Sequence, residues 1–437
     1  MLCLSSLMNN NIMISLILMS FKNKSSRIFI ILDSLDFYRR IKFKNFIYKL
    51  LKSNVIIHSI NLIRSTLKTT FLHNHLLGRR KIFEIHILKM NIREIKNINS
   101  DFQIISTIGN GSYGCVYKAW KNSTRQVVAL KKMFKNSSLK MIMSEAEILD
   151  KLKSENIVSL EEIIKSNDLY YMVYSYSEFD LFALIKTLPA SFFSPERVSY
   201  FFRQILKALA YIHSFNIVHG DLKPDNIIVS CDNIVKICDF GLSKQLNPQN
   251  KKDTKLIYLF YRPLELLLGY DKYGTEVDIW SAGCILYEII MKKPLFFADS
   301  ERDQISEIIE KCGEPDENIF PGLSKRKTSG KNKNISEFLK SKLPREFIER
   351  GIIDLFEKML TIDPKKRISA SAALKHPFLN IPVKSLPIIT HEEIHQTLPM
   401  KSKSRCLRDK IDRYQERKVD VAKLRPTMIP LPPILAD

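Results

Sequence analysis

The sequence predicts an α+β fold in which a small antiparallel sheet lobe is followed by a larger helical lobe. Short stretches with strand periodicity and one glycine turn follow each other from Phe102 to about residue 176. After Ser194 the apolar residues recur with the period of an α-helix. Strands first and helices later indicate one lobe of each kind.

The sheet lobe is predicted from separate strand patterns and one helix. "FQIISTIG" and "CVYKAW" are typical of two strands around a glycine turn, and "QVVALKKM" and "DLYYMVYSY" are typical of two more. Between these last two, "SLKMIMSEAEILDKL" predicts a helix.

The stretch "SPERVSYFFRQILKALAYIH" predicts the first long helix of the second lobe. Ser194 is placed to cap this helix, and Pro195 stands at its first position, where a missing N–H costs nothing. Six apolar side chains then share one face of the helix: Val198, Phe201, Phe202, Ile205, Leu209 and Ile212.

Residues 1–89 differ in composition from the rest of the chain. They contain 15 Lys and Arg against 3 Asp and Glu, so their net charge of +12 is more than half of the formal net charge of +22 of the whole chain. They have one glycine, Gly78, no proline, and no sustained helix or strand periodicity. Three interpretations fit this composition: a targeting extension, a disordered basic arm, or a reading frame drawn upstream of a true start at Met90. The third interpretation is favoured.

The uncharged beginning of the chain is not expected to be a signal or a membrane anchor. "NIMISLILMSF" has no basic flank before it and no small-residue cleavage site after it, and its apolar run is too short to span a bilayer. The seven cysteines are scattered without a C-x-x-C pair. This pattern favours a reducing compartment, nucleus or cytoplasm, over a disulfide framework or a zinc site.

The glycine turn has a composition suited to phosphate binding. "GNGSYGCV" matches G-x-G-x-x-G-x-V at Gly109, Gly111, Gly114 and Val116. Glycines let backbone N–H groups approach phosphate oxygens without a Cβ in the way. Taken alone, the pattern is as typical of a plain hairpin.

Lys131, in "VALK", lies on the strand that follows this turn, and the next helix bears Glu145. A lysine on an exposed strand is ordinarily a solvated charge. A carboxylate partner at Glu145 would instead hold the ammonium towards the phosphates.

The stretch "NIVHGDLKPDNIIV" sets Asp221, Lys223 and Asn226 at short intervals, and "DFG" adds Asp239. A loop aspartate can orient a hydroxyl and take up its proton, which is worth about 10²–10⁴ in rate. Lys223 can neutralise charge on a transferred group. Asn226 and Asp239 offer the hard oxygen ligands that Mg²⁺ needs near a triphosphate. Without the other motifs, a turn that caps a strand would explain this loop equally well.

Together these motifs make residues 102–379 resemble the eukaryotic protein kinases. The resemblance implies the bilobal protein kinase fold, with ATP as phosphoryl donor and Mg²⁺ as cofactor. The predicted kinase domain lies between a basic extension (1–89) and a basic, proline-containing tail (380–437). Asp221 and Lys223 would be catalytic, and Asn226 and Asp239 would bind the metal. The implied nucleotide-binding residues are Ile108, Gly109, Asn110, Gly111, Ser112, Tyr113, Gly114, Cys115, Val116, Ala129, Lys131, Glu145, Tyr174, Ser175 and Tyr176, the last three at the adenine-binding hinge.

The resemblance also covers the helical lobe. It includes "DIW" at residues 278–280 and Arg367 in "DPKKRISA". It implies a buried ion pair between Glu265 and Arg367, and a bracing role for Asp278 beneath the catalytic loop.

Within the family, the chain looks most like the cyclin-dependent serine/threonine kinases. Lys223 is typical of serine/threonine kinases, and "LFYRPLELLLG" and "LTIDPKKRISASAALKHPFL" are similar to the cyclin-dependent group. This implies protein substrates, with serine or threonine before proline, that Arg262 helps to recognise. Ser112 and Tyr113 match a pair that is phosphorylated to inhibit such enzymes. A cyclin-like subunit is compatible with the group, although "SLKMIMSE" replaces the cyclin-contacting helix motif; no specific nucleic acid or membrane is expected as a partner.

Gly220 departs from the family pattern. Most such kinases have an arginine there, which pairs with a phosphorylated residue on the activation loop, at Asp253 or Thr254 in this sequence. Of the two other basic residues implied for that phosphate pocket, one is replaced by Ser144 and one is Lys244. Two of three cations are missing, so we expect activity that does not depend on phosphorylation of this loop.

Other departures keep alternatives open. Pro263-Leu264-Glu265 replaces the usual A-P-E, and Tyr258 replaces a threonine whose hydroxyl bonds the catalytic aspartate and lysine. A pseudokinase scaffold that retains ATP binding is therefore the alternative to an active kinase, and a nucleic-acid or membrane binder that acts through residues 1–89 is a third interpretation. Cys238, directly before DFG, is interpreted as buried packing, with a reactive thiol as the alternative.

Overall fold

The structure is a computed structural model that describes residues 2–9, 12–20, 26–32, 92–111, 114–135, 137–246, 257–316, 318–320, 334–383 and 385–390. The chain divides into two units, Met1–Lys89 and Met90–Asp437. Within the described residues, no helix is both long and apolar enough to cross a membrane.

The first unit contains an antiparallel sheet of three strands, β1 (Leu2–Asn9), β2 (Ile12–Ser20) and β3 (Ser26–Leu32), in that order. The sequence predicts no strand here. Its apolar residues run on almost without interruption in "IMISLILMS" and "RIFIIL", so the period-2 signal of a half-buried strand is absent.

The second unit begins with a six-stranded sheet. Its strands are β4 (Ile92–Glu94), β5 (Phe102–Gly111), β6 (Gly114–Lys121), β7 (Gln126–Met133), β8 (Leu160–Ser166) and β9 (Leu169–Ser175). Their order across the sheet is β4-β8-β9-β7-β6-β5, and neighbouring strands are antiparallel except β4 and β8, which are parallel. The antiparallel sheet lobe predicted from the sequence is confirmed, whereas β4, β8 and the short helix α1 (Ile98–Asp101) are additions.

Alternation along the strands gives this sheet two different faces. Val128 and Leu130 on β7 and Val173 on β9 are almost fully buried in a hydrophobic core with Phe102. The intervening residues of β7 and β9 point to the opposite face. That face meets helix α2 (Leu139–Lys151), which Ser138 caps by accepting a 3.2 Å hydrogen bond from the backbone N–H of Lys140.

The rest of the unit is mainly helical, as predicted. Its elements are β10 (Phe179–Asp180), α3 (Leu181–Thr187), α4 (Pro195–Ser214), β11 (Ile217–Val218), β12 (Ile227–Val229), β13 (Val235–Ile237), β14 (Lys244–Gln245), α5 (Leu264–Leu267), α6 (Glu276–Met291), α7 (Glu301–Cys312), α8 (Ile335–Lys342), α9 (Arg345–Ile348), α10 (Ile352–Met359) and α11 (Ala370–Ala373).

Helix α4 confirms the sequence prediction at its cap and on its face. The hydroxyl oxygen of Ser194 accepts a hydrogen bond from the backbone N–H of Arg197, and Pro195 is the first helical residue. All six apolar residues predicted for its inner face are fully buried: Val198, Phe201, Phe202, Ile205, Leu209 and Ile212.

The predicted ion pair of the helical lobe is present. Nη1 and Nη2 of Arg367 lie 2.7 Å and 3.2 Å from the two carboxylate oxygens of Glu265. The same guanidinium donates to the backbone carbonyls of Glu276 and Thr361, so each of its nitrogens has an acceptor. Both side chains are buried, and the pair ties α5 to the segment before α11.

The first part of the tail packs against the helical lobe. Ile389 is fully buried, and its backbone N–H donates to the carbonyl of Cys231 at 3.0 Å. The carbonyl of Pro387 accepts hydrogen bonds from Arg197 and Asn233. Residues 391–437 lie outside the described residues.

Candidate active site

The glycine turn connects β5 and β6 beside the third strand of the sheet. A Cβ on Gly114 would lie 2.2 Å from the carbonyl oxygen of Lys132 on β7, so only glycine fits there. β5 ends with Ile108, Gly109, Asn110 and Gly111, and β6 begins with Gly114, Cys115 and Val116. Ser112 and Tyr113 lie outside the described residues.

Lys131 and Glu145 form the predicted ion pair. Nζ of Lys131 is 3.2 Å from Oε2 of Glu145 on α2, and also 3.2 Å from Oδ1 of Asp239. The side chain of Glu145 is 4% exposed. Burial disfavours the ammonium, but the two carboxylates outweigh it and raise the pKa of Lys131. Lys131 therefore carries its charge at neutral pH.

Strand register places Lys131 on the face of the sheet that α2 covers. In the pairing of β7 with β9, Lys131 lies opposite Met172 and Ala129 lies opposite Tyr174. In the pairing of β6 with β7, Val116 lies opposite Lys131. Paired residues share a face of the sheet, so these side chains all belong to the face that α2 covers.

Tyr174 contacts α2. Its hydroxyl donates a 2.6 Å hydrogen bond to Oε1 of Glu145, and the residue is 7% exposed. The next two residues of the predicted hinge, Ser175 and Tyr176, are partly exposed, and the ammonium of Lys118 lies 4.8 Å from the ring centroid of Tyr176. Sequence reasoning groups Tyr174 with the hinge and misses its bond to Glu145, because side-chain direction in a strand depends on the register with its neighbours.

The catalytic loop, between β11 and β12, organises one oxygen of Asp221. Nζ of Lys223 lies 2.8 Å from Oδ2 of Asp221, and the side-chain amide of Asn226 donates to the same oxygen at 2.9 Å. The Asn226 amide also donates to the backbone carbonyl of Asp221 at 2.7 Å. Among the described residues no hydrogen bond reaches Oδ1 of Asp221, which therefore remains an acceptor.

Asp278 braces this loop, as the resemblance implies. Its Oδ2 accepts from the backbone N–H of His219 at 2.9 Å, and its Oδ1 accepts from that of Gly220 at 3.1 Å. The ring of His213 lies 3.0 Å from Oδ2. Asp278 is fully buried; burial opposes ionisation, but these partners outweigh it and lower the pKa of its carboxyl.

Asn226 and Asp239 are brought together by the hairpin of β12 and β13. Ile227 pairs with Ile237, and the backbone N–H of Cys238 donates to the carbonyl of Asn226 at 2.9 Å. The amide nitrogen of Asn226 is engaged by Asp221, so its carbonyl oxygen Oδ1 is left for a ligand. One amide oxygen and one carboxylate suit Mg²⁺, which usually binds one or two protein oxygens beside phosphates and waters.

The charges of the site favour one ionisation pattern. Burial raises the pKa of Asp221, and Lys223 opposes this rise. For Asp239, burial also opposes ionisation, but Lys131 outweighs it and the pKa is lowered. Asp239 is therefore the stronger acid and stays ionised, while Asp221 is the weaker acid and the better proton acceptor.

Tyr258 lies beside Lys223. Nζ of Lys223 is 5.7 Å from the centroid of its ring, within the range of a cation–π contact. The ring also packs edge-on against Phe260, with centroids 5.2 Å apart. The aromatic ring thus contacts the lysine that the family's threonine hydroxyl would bond.

Arg262 is buried and held by two contacts. Its Nε donates to the backbone carbonyl of Ile257 at 2.8 Å, and its Nη1 lies 2.7 Å from Oε1 of Glu301. Arg262 is 3% exposed. Its position fixes the segment that precedes α5.

The implied phosphate pocket is described only in part. Gly220 is buried with φ +77°, Ser144 is exposed on α2, and Lys244 is exposed on β14. Asp253 and Thr254 lie outside the described residues.

Cys238 fits the packing interpretation better than that of a reactive thiol. It is partly buried, and burial raises the pKa of its thiol. A thiol with a raised pKa carries little of the reactive thiolate at neutral pH.

Comparison with known families matches residues 102–379 to the protein kinase domain. The chain belongs to the protein kinase family. The predicted bilobal kinase fold is confirmed by this match and by a solved structure, that of the yeast RNA Pol II CTD kinase CTDK-1 complex. That structure is 30% identical, covers 69% of this chain and 100% of its own, and has a TM-score of 0.60.

The curated relatives confirm the resemblance to the cyclin-dependent kinases. Cyclin-dependent kinase 12 of Caenorhabditis elegans is 34% identical over 69% of this chain and 44% of its own length. Serine/threonine-protein kinase PITSLRE of Drosophila melanogaster is 38% identical over 69% of this chain and 33% of its own length. Cyclin-dependent kinase C-1 of Arabidopsis thaliana is 35% identical over 68% of this chain and 63% of its own length. The chain thus spans between a third and two thirds of these relatives.

Proposed function

We propose that the chain is a serine/threonine protein kinase that transfers the γ-phosphoryl group of ATP to hydroxyls of proteins. The observation that carries this proposal is the assembly of the complete catalytic set in one cleft. Lys131 contacts both Glu145 and Asp239, and Lys223 and Asn226 both contact Asp221. A scaffold without catalysis would have no need of this arrangement.

Each residue has a distinct task in the transfer. Oδ1 of Asp221 accepts the proton of the substrate hydroxyl while the new bond from oxygen to phosphorus forms and the bond to the leaving ADP breaks. Lys223 stabilises the negative charge on the phosphoryl group. Lys131, oriented by Glu145, anchors the phosphates of ATP.

Asn226 and Asp239 would hold Mg²⁺ in this site. The metal would supply positive charge to the β- and γ-phosphates. The low pKa of Asp239 keeps that ligand ionised.

We further infer that activity does not require phosphorylation of the activation loop. Gly220 and Ser144 remove two of the three cations that would bind such a phosphate, and the remaining Lys244 is exposed. The pair of Lys131 and Glu145 is nevertheless formed. Phosphate would therefore find few charge-assisted partners through which to order the loop.

Substrate and partner are proposed from the resemblance and from the contacts of Arg262. Its bond occupies the carbonyl of Ile257. When a substrate binds, the backbone N–H of the residue after serine or threonine gives up its hydrogen bond to water, and the occupied carbonyl of Ile257 does not replace it. Proline at that position has no backbone N–H, so it loses no hydrogen bond. We propose serine or threonine before proline as the target, a cyclin-like subunit as regulator, and the nucleus or cytoplasm as the location.

The test is phosphoryl transfer by the full chain, purified without a partner, from labelled Mg·ATP to a general basic protein substrate. Asp221→Asn is the control because it keeps the shape of the side chain and removes the base. Transfer that the control loses supports the kinase. ATP binding without transfer, both alone and with candidate cyclins, would contradict it and favour the scaffold.

A further inference from the structure

The hydroxyl of Tyr174 makes a contact that binding of adenine does not explain. It lies 2.6 Å from Oε1 of Glu145 and 3.3 Å from Sδ of Met172. Burial, together with the carboxylate of Glu145, raises the pKa of this phenol well above its usual value. The phenol is therefore neutral at physiological pH and donates a hydrogen bond to the carboxylate.

The carboxylate of Glu145 is held from two sides. Lys131 lies nearer to its Oε2, at 3.2 Å, than to its Oε1, at 3.4 Å, and Tyr174 bonds Oε1. Lys131 comes from β7, Tyr174 from β9 and Glu145 from α2. The bond to Tyr174 thus ties the helix to the sheet.

This tie differs in kind from the ion pair. The ammonium of Lys131 is shared with Asp239, and the resemblance assigns it to the phosphates of ATP as well. The phenol has the carboxylate of Glu145 and the weakly accepting sulfur of Met172 as neighbours. A short bond from a buried neutral donor to a carboxylate is stronger than a bond between neutral groups.

We propose that Tyr174 is a positioning residue that fixes Glu145, and through it Lys131 and helix α2, in the arrangement that binds ATP. The proposal rests on the proposed kinase function and concerns the regulation of the same site. It gives α2 an internal support that needs neither a loop phosphate nor a partner protein.

The experiment compares Tyr174→Phe with Tyr171→Phe in the full chain. Both substitutions remove one hydroxyl from a buried tyrosine of β9, but Tyr171 lies on the other face of the sheet, in the hydrophobic core. The measurements are the Kd for Mg·ATP by calorimetry, and kcat and KM for ATP. We expect Tyr174→Phe to weaken ATP binding and raise KM roughly tenfold, the size of one bond to a charged group, and Tyr171→Phe to change neither by more than about twofold.

A double-mutant cycle on the same Kd tests whether Tyr174 acts through Glu145. Glu145→Gln weakens the acceptor of the phenol, so adding Tyr174→Phe should cost little more. Losses that add in full, or a Tyr174→Phe variant that binds ATP like Tyr171→Phe, would overturn the proposal.

Failure of the proposed function would be recognised separately. If the unmodified chain binds Mg·ATP and transfers no phosphate, the kinase proposal fails, while the cycle on Kd still decides the role of Tyr174. Thermal unfolding of both tyrosine variants separates a local effect on ATP from a general loss of stability.

Discussion

The backbone N–H of Gly220 donates a 3.1 Å hydrogen bond to Oδ1 of Asp278, and this bond holds Gly220 at φ +77°. The left-handed region costs a residue with a Cβ roughly 1–2 kcal/mol, and glycine avoids this cost. Gly220 therefore suits the backbone that the loop requires, although it offers no cation to a phosphate.

The first prediction concerns the stability of this turn. Gly220→Ala should lower the free energy of unfolding by about 1 kcal/mol because the added Cβ strains the left-handed backbone. Gly351→Ala is the matched reference and should lose a similar amount, since Gly351 has φ +76° and no atom within 4 Å of an added Cβ, so that only the backbone strain remains. Chemical denaturation measures both changes, and a Gly220→Ala variant as stable as the unmodified chain would contradict the argument.

The second prediction concerns regulation. Thr254→Ala, and treatment of the unmodified chain with phosphatase, should leave kcat within about twofold, since Gly220 and Ser144 give a phosphate few charged partners. The measurement is phosphoryl transfer to a basic protein, with Asp221→Asn as the inactive reference. An inactive dephosphorylated protein that a kinase acting on Thr254 restores would show that the loop phosphate is needed after all.

Much of this site could be predicted from the sequence because its residues belong to motifs with fixed spacing. Lys131 and Glu145 lie on a strand and on the next helix of the chain, so their pairing could be inferred from the motifs themselves. Glu265 and Arg367 lie far apart in the chain, and only the resemblance links them. The bond between Tyr174 and Glu145 could not be predicted, since it depends on strand register and on the direction of one side chain.

The missed strand β4 is held by contacts with residues distant in the chain. The strand Ile92–Glu94 has three residues and no clear alternation, but the backbone N–H of Ile95 bonds the carbonyl of Lys165, and Arg93 pairs with Glu162. The periodicity of a short sequence window does not indicate partners that lie far away in the chain.

The third prediction concerns pH. Burial raises the pKa of Asp221 and the ammonium of Lys223 opposes this rise. The base must be ionised, so kcat should fall as the pH falls through this raised pKa. Lys223→Gln removes the opposing charge, so the pKa should rise further and the acid limb of kcat should move to higher pH.

A pH profile of kcat measures this shift separately from the loss of rate that the variant also shows. Lys358→Gln is the control, because Lys358 is half exposed and pairs with Asp354 outside the cleft. An acid limb at the same pH in all three proteins would mean that Asp221 is not the group that titrates.

The fourth prediction concerns the helical lobe. Arg367→Met leaves the buried carboxylate of Glu265 without its partner, so the free energy of unfolding should fall by about 3–5 kcal/mol. Arg345→Met removes an exposed pair with Glu349, whose side chains are 90% and 60% exposed, and should cost less than about 1 kcal/mol. Chemical denaturation measures both changes, and an equal loss of the free energy of unfolding in the two variants would contradict the difference expected between a buried and an exposed ion pair.

The last prediction concerns substrate choice. Nε of Arg262 occupies the carbonyl of Ile257, and the second contact, to Glu301, fixes the guanidinium in place. A peptide with Ser-Pro should therefore be phosphorylated with a kcat/KM roughly tenfold higher than the same peptide with Ser-Ala, the size of one unmade hydrogen bond. Glu301→Gln weakens the second contact and should narrow this preference, whereas Glu307→Gln, on the same helix, should keep it. Equal rates on the two peptides would remove proline recognition while leaving the kinase activity itself intact.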